Sequence, residues 1–226
     1  MAHGSEDMNI ERIYHVLEQH FATVQAPVVD LVEAQTGDPF KILVATILSA
    51  RTKDKTTTEV VSRLFECIHT PSDLDRYEIE EIEELIYPVG FFRNKAVHLK
   101  KLPAVLQGEF DGKVPEEIDD LLKLPGVGRK TANLVRAIAY KKPAICVDVH
   151  VHRISNRLGY VNTRTPLETE MALRKKLPQK YWIHYNSYLV AFGQNHCTPR
   201  NPKCSTCPIY DECGRVGVET KYGKDA

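Results

Sequence analysis

The chain has 226 residues with no net formal charge; 42% are hydrophobic and 27% charged, the balance of a globular protein that buries one large core or two smaller ones. No apolar run approaches the ~20 residues of a membrane-spanning helix, which excludes that element. The zero net charge conceals an asymmetry. Residues 1–120 carry 23 acidic and 12 basic side chains, whereas residues 121–210 carry 15 basic and only 3 acidic, namely Asp148, Glu168 and Glu170. A basic second half is the electrostatic footprint of a polyanion-binding face.

In chain order, Phe40–Ala50 (FKILVATILSA) is apolar on nearly every side and predicts a buried central helix. Thr56–Cys67 is amphipathic. Thr70-Pro71 and Thr165-Pro166 each place an N-cap threonine before a helix-starting proline, and Glu168 follows at the capping-box position. Glu80–Tyr87 predicts a helix stopped by Pro88 and Gly90. Asn94–Gln107 predicts another, which Pro103 should kink or end. Glu116–Leu124 is a short amphipathic helix running into Pro125; Arg129–Tyr140 and Trp182–Gly193 complete the set. Ala144–His152 (AICVDVHVH) alternates like a strand. A lone strand has no partner, so the segment is expected to be an extended loop entering a helix at about Asp148. The predicted class is all-α.

Four of the six cysteines fall in the last thirty residues: Cys197, Cys204, Cys207 and Cys213, spaced C-x6-C-x2-C-x5-C. Short loops let four thiols converge at little entropic cost, and thiolates at that density suit a soft metal. A compact four-thiolate run fits a [4Fe–4S] cluster better than the paired C-x2-C of a zinc ribbon. Zinc is the alternative. Disulfides would need an oxidising compartment, and MAHGSEDMNI lacks the basic start and apolar stretch of a secretory signal. The loop also carries Arg200 and Lys203 between its first two cysteines, cations suited to phosphate.

Leu121–Leu134 reads LLKLPGVGRKTANL, a helix, a Leu-Pro-Gly-Val-Gly turn and a second helix. Gly126 and Gly128 permit a positive φ and close backbone approach. The amides around Gly126, Val127, Gly128 and Arg129 would then face outward at a helix N-terminus, an anion site that binds DNA backbone without reading sequence.

Leu124–Ala132 resembles the helix–hairpin–helix of the endonuclease III family of DNA glycosylases. Val147-Asp148-Val149-His150 with Arg153 resembles that family's VDTH..R segment, Ile47–Asp54 (ILSARTKD) its LLSAQTTD-like helix end, and Gly90–Ala96 (GFFRNKA) the segment before its next helix. The cysteine spacing matches the family's cluster loop gap for gap, and the similarity runs from about Pro39 to Cys213. The resemblance implies two helical domains with a DNA-binding groove between them. One is a six-helix domain over 32–142, with its hairpin at about 116–140. The other is discontinuous, 1–31 plus 143–226, and carries the cluster loop 197–213.

It also implies chemistry, the removal of oxidised pyrimidines and nicking at abasic sites. Lys130 becomes the nucleophile that attacks C1′ of a flipped nucleotide, forms a Schiff base and leads to β-elimination. Partial burial and the positive helix terminus would favour its neutral form. Asp148 is assigned to stabilising positive charge on the sugar and shuttling the lysine's proton. Arg51 and Phe91 are implied to fill the space left by the flipped base, with His150 as a further DNA contact. Many bacterial members have glutamine where Arg51 stands, and an arginine there could pair with O6 and N7 of an orphan guanine. An adenine-mismatch glycosylase of the superfamily would lack Lys130 and carry a glutamate where this chain has Ala45. A thymine-mismatch glycosylase of this fold typically also lacks that lysine, and a non-enzymatic damage binder would need neither Lys130 nor Asp148. The expected partner is double-stranded DNA containing damaged bases or abasic sites, bound by a monomer with no membrane association. The expected setting is the cytoplasm, nucleoid-associated, or the nucleus in a eukaryote.

Overall fold

The computed structural model describes residues 8–218; the residues 1–7 that open the chain lie outside it. The described residues contain helices and no strand. The helices are α1 (Ile10–Thr23), α2 (Val28–Thr36), α3 (Pro39–Ser49), α4 (Asp54–Leu64), α5 (Ile79–Ile86), α6 (Phe92–Phe110), α7 (Ile118–Leu121), α8 (Arg129–Tyr140), α9 (Val149–Leu158), α10 (Pro166–Lys176) and α11 (Trp182–Asn195). The chain divides into two compact units, Pro27–Ala144 and Met1–Ala26 with Ile145–Ala226. No helix of the described residues is long and apolar enough to cross a membrane.

The Pro27–Ala144 unit is built on α3. Asp38 starts the helix, its Oδ1 accepting from Phe40 N at 2.9 Å, with Pro39 in the first turn where a missing N–H is harmless. Every residue from Ile42 to Leu48 is buried, because α3 touches α2, α4, α6 and α8. Each such aliphatic side chain contributes roughly 1.5–3 kcal/mol by leaving water.

The unit of Met1–Ala26 and Ile145–Ala226 has its own core. Ile13, Tyr14 and Leu17 of α1 face α11, and the Tyr14 ring lies 4.1 Å from that of Tyr181 and 5.2 Å from that of Tyr188. Tyr185 is fully buried and its hydroxyl meets Ser155 Oγ of α9 at 3.2 Å. Residues 145–147 are buried outside any helix or strand, Asp148 is extended, and α9 begins after it. The alternating segment is thus a loop that enters a helix, as its lack of a partner strand requires.

Of the alternatives for Pro103 one is excluded, and local rules misplace two further features. Pro103 does not end α6, which continues to Phe110; the proline is buried along with Leu99, Leu102 and Leu106, and this packing carries the helix past the missing donor. Glu116–Leu124 forms only the single turn α7. Glu168 does not close a box on Thr165. Thr165 Oγ1 accepts from Glu168 N at 3.2 Å, but the Glu168 carboxylate accepts from Arg164 N at 2.9 Å, one residue earlier. The reciprocal box forms instead at Thr70 with Asp73, on a 3-10 turn (Pro71–Arg76).

Leu43 is fully buried at the centre of α3. Leu43→Ala should lower stability by about 3 kcal/mol through lost transfer energy and a residual cavity, read as a shift in the urea midpoint at unchanged slope.

Candidate nucleic-acid interface and cluster loop

The turn between α7 and α8 is anchored by apolar burial and left open on its other side. Leu121, Leu124 and Val127 are buried, and Val127 N donates to Leu124 O at 3.1 Å. Gly126 has φ +78°, and a Cβ there would lie 2.8 Å from Nδ1 of His98 on α6, so both conformation and space require glycine. A Cβ on Gly128, the N-cap of α8, would meet nothing within 4 Å. Space is therefore open beside Gly128 at the positive end of the helix dipole, an arrangement suited to an anion. Arg129 and Lys130 are both exposed in the first turn of α8. The partial burial expected for Lys130 is not supplied by the chain itself, since the residue sits at the tip of the turn.

Arg51, in the loop after α3, and Phe91, the N-cap of α6, belong to the same unit. Both adopt left-handed backbone, φ 56° and 58°, a conformation that costs a non-glycine residue of order 1–3 kcal/mol. Both are exposed, Phe91 to 58%. The Arg51 guanidinium carbon lies 4.8 Å from the Phe91 ring centroid, within cation–π range. A large aromatic and a cation thus stack on each other in the open, outside the core of their unit.

In the other unit, Asp148 is the N-cap of α9. Its Oδ1 accepts from His150 N and Val151 N, both at 2.9 Å, and Oδ2 carries no hydrogen bond among the described residues. The His150 ring is turned inward: its Nδ1 lies 3.1 Å from Arg153 Nη2, and a Cβ placed on Gly193 of α11 would come within 2.4 Å of the same nitrogen. Arg153 Nη2 also donates to Cys197 O at 2.9 Å and Gly193 O at 3.3 Å. Burial pulls the pKa of this guanidinium below the usual arginine range; arginine stays cationic in proteins even so.

Arg157, one turn further along α9, donates from Nη1 to Thr198 O at 2.7 Å and from Nη2 to Pro199 O at 2.6 Å. Its Nη1 is also 3.5 Å from Cys197 Sγ. Arg200 and Lys203 project from this pinned loop and are exposed. Cys197, Cys204, Cys207 and Cys213 line one pocket, and no described cysteine forms a disulfide. No three of the described Cys, His, Asp or Glu side chains close on a point as ligands of one ion; the sulfurs surround a shared space. Burial raises the thiol pKa of Cys204 and Cys213, and that of Cys207 to about 11. A buried thiolate set of this kind is stabilised by a cationic metal centre. Backbone donation to a sulfur, Arg215 N to Cys213 Sγ at 3.4 Å, further suits an iron–sulfur centre. The residues fit the group.

Two residues with structural work at these sites escaped the sequence reading. Arg157 could have been flagged by its i, i+4 spacing from Arg153 on α9. Lys95 sits in the GFFRNKA segment, but nothing around it announces that its side chain is only 6% exposed.

Residues 44–179 match the family described as HhH-GPD superfamily base excision DNA repair protein, and residues 197–213 the iron-sulfur binding domain of endonuclease III. Endonuclease III of Thermotoga maritima is 47% identical over 176 residues, covering 78% of this chain and 83% of the relative. That of Bacillus subtilis is 40% identical over 188 residues, 83% of this chain and 86% of the relative. A non-covalent endonuclease III–DNA complex matches with a TM-score of 0.79 at 38% identity, covering 92% of this chain and 96% of that one. A trapped covalent endonuclease III–DNA intermediate matches at 0.77 and 36% identity over the same shares. The two matched regions together take in the hairpin, the Asp148 helix and the four cysteines; the chain belongs to the endonuclease III family of base-excision repair enzymes, bifunctional DNA glycosylases and abasic-site lyases with a [4Fe–4S] cluster.

Proposed function

We propose that the enzyme acts on duplex DNA containing oxidised pyrimidines or abasic sites, with Lys130 as nucleophile. The observation that carries this reading is the exposed Lys130 in the first turn of α8, beside open space at the positive end of the helix. A phosphate bound there holds the flanking backbone while the amine reaches C1′ of the flipped nucleotide. Attack forms the C1′–N bond and breaks the glycosidic bond, the base leaving with a proton. Ring opening gives a Schiff base, and loss of a C2′ proton expels the 3′ phosphate. Lys130 has to lose a proton before it attacks, and DNA covering this exposed amine would supply the desolvation that the chain does not. Asp148, whose Oδ2 is free of the N-cap bonds, stabilises the positive charge that develops on the sugar and accepts the lysine's proton. Arg51 and Phe91 fill the gap in the duplex, and the arginine prefers an orphan guanine. His150 faces Arg153 and Gly193, so its part is to support the Asp148 end of α9 more than to touch DNA.

Cys197, Cys204, Cys207 and Cys213 are the cluster ligands. The cluster holds the loop in shape, and the loop presents Arg200 and Lys203 to phosphate. The enzyme works as a monomer wherever genomic DNA lies, around the nucleoid or in the nucleus.

Borohydride should cross-link the wild-type protein to DNA carrying an oxidised pyrimidine or an abasic site, and Lys130→Gln should abolish the cross-link while binding persists through the hairpin amides. Trapping of Lys130→Gln at the wild-type level would place the nucleophile elsewhere. A glycosylase that activates water leaves nothing to reduce, so a wild-type protein that never cross-links would contradict the lyase reading. For the cluster, Cys207→Ala should reduce bound iron from about four per chain and remove the brown absorbance; unchanged iron would exclude Cys207 as a ligand. Arg200→Glu and Lys203→Glu should weaken binding to damaged and undamaged duplex alike and flatten the slope of log K against log salt by about one each. Loss of lesion selectivity with affinity retained would contradict the phosphate assignment.

A further inference from the structure

We propose that Lys95 is a positioning residue that locks Arg51 and Phe91 into one stacked unit and thereby sets the preference for the base opposite the lesion. The inference rests on the reading above, in which that pair enters the duplex.

Lys95 lies in the first turn of α6, four residues beyond Phe91, yet its side chain is only 6% exposed. Its Nζ donates to Leu48 O at 2.8 Å, Ala50 O at 2.6 Å and Thr52 Oγ1 at 3.3 Å. All three acceptors belong to the last turn of α3 and the loop that follows. A cation there completes orphan carbonyls at the negative end of the helix dipole. Burial lowers the pKa of Lys95 to about 8, which leaves it an ammonium at neutral pH. The three neutral oxygens are what hold it.

The same contacts join the two loops. Thr52 Oγ1, which takes a bond from Lys95, also accepts from Gly90 N at 3.0 Å. A Cβ on Gly90 would lie 2.5 Å from Arg51 O, so the two backbones touch and only glycine permits it. From the far side, Arg63 Nη2 donates to Leu85 O and Tyr87 O, each at 2.7 Å, fixing the entry to the second loop. Left-handed backbone at Arg51 and Phe91 persists only where the surroundings over-determine it. Lys95, Thr52, Gly90 and Arg63 are those surroundings.

Specificity follows from rigidity. A guanidinium pairs with guanine through O6 and N7, whereas adenine presents an N6 donor in place of O6. Arg51 rejects adenine only if its plane is held. Released from the clamp, it can rotate to accommodate either base.

The test uses the full chain and duplexes carrying an abasic site opposite guanine or adenine, with single-turnover borohydride trapping as readout. The wild-type protein should favour guanine. Lys95→Met and Thr52→Val should each move the guanine-to-adenine ratio toward unity, Lys95→Met by about tenfold, the scale of a lost bidentate contact, and Thr52→Val by less. Lys95→Arg, which keeps a cation with donors, should recover most of the ratio. Melting curves check that each variant is folded, and if Lys95→Met is not, Thr52→Val decides. A folded variant that keeps the wild-type ratio would overturn the inference, as would a wild-type protein that traps DNA without preferring guanine. Failure of the wild-type protein to trap either duplex would instead remove the Lys130 reading on which the inference stands.

Discussion

The cluster loop has almost no core of its own; two guanidinium groups of α9 hold its start, while at its end Gly214 N and Val216 N donate to Leu158 O and Arg157 O and Glu212 pairs with Arg12. Between Asn195 and Val218 the only helical turn is the 3-10 segment Cys204–Thr206, and Ile209 is the one residue buried outright. Arg153 and Arg157 reach out from one face of α9 and take the carbonyls of Cys197, Thr198 and Pro199. Each arginine is itself fixed at its base, because α9 is packed against α10 and α11. The loop therefore takes its position from a helix whose other end is the Asp148 cap. A disturbance at Cys197 and one at Asp148 act on the same ten-residue rod.

Helix termini recur at every site. The α8 N-terminus has no side-chain cap, the α9 N-terminus is capped by a carboxylate with an oxygen to spare, and the α3 C-terminus is closed by the ammonium of Lys95. These are the places where a helix leaves backbone groups unpaired. At α3 the protein completes two of those groups itself, through Lys95. At α8 the space beside the N-cap Gly128 stays open.

The architecture was legible where pattern and packing agree. Arg129–Tyr140 appears at the expected residues because a glycine cap, an amphipathic face and a left-handed Lys141 stop all coincide. The four-cysteine spacing and the LPGVGRKTA turn identified the family because few other chemistries use those residue types at those intervals. What escaped was decided by tertiary contacts. Pro103 breaks helices by local rule, yet here sits in a helix sustained by burial on both sides. Lys95 is a residue type that normally stays in water, and its acceptors, two carbonyls and a threonine hydroxyl, are 43 to 47 residues away in sequence. His150 lay in a recognisable motif, but which way its ring turns depends on Gly193, on another helix.

That last contact has a consequence for inherited variation. Gly193 lies inside α11, where intrinsic propensity ranks alanine above glycine by about 1 kcal/mol. A methyl group at that position would nevertheless fall 2.4 Å from His150 Nδ1 and 2.9 Å from Arg153 Nη2. The change that local helix rules would count as an improvement is thus one that must displace the His150 ring and the Arg153 guanidinium. Its damage would surface as a loss of repair, in a protein whose hairpin, lysine and cysteines are all intact.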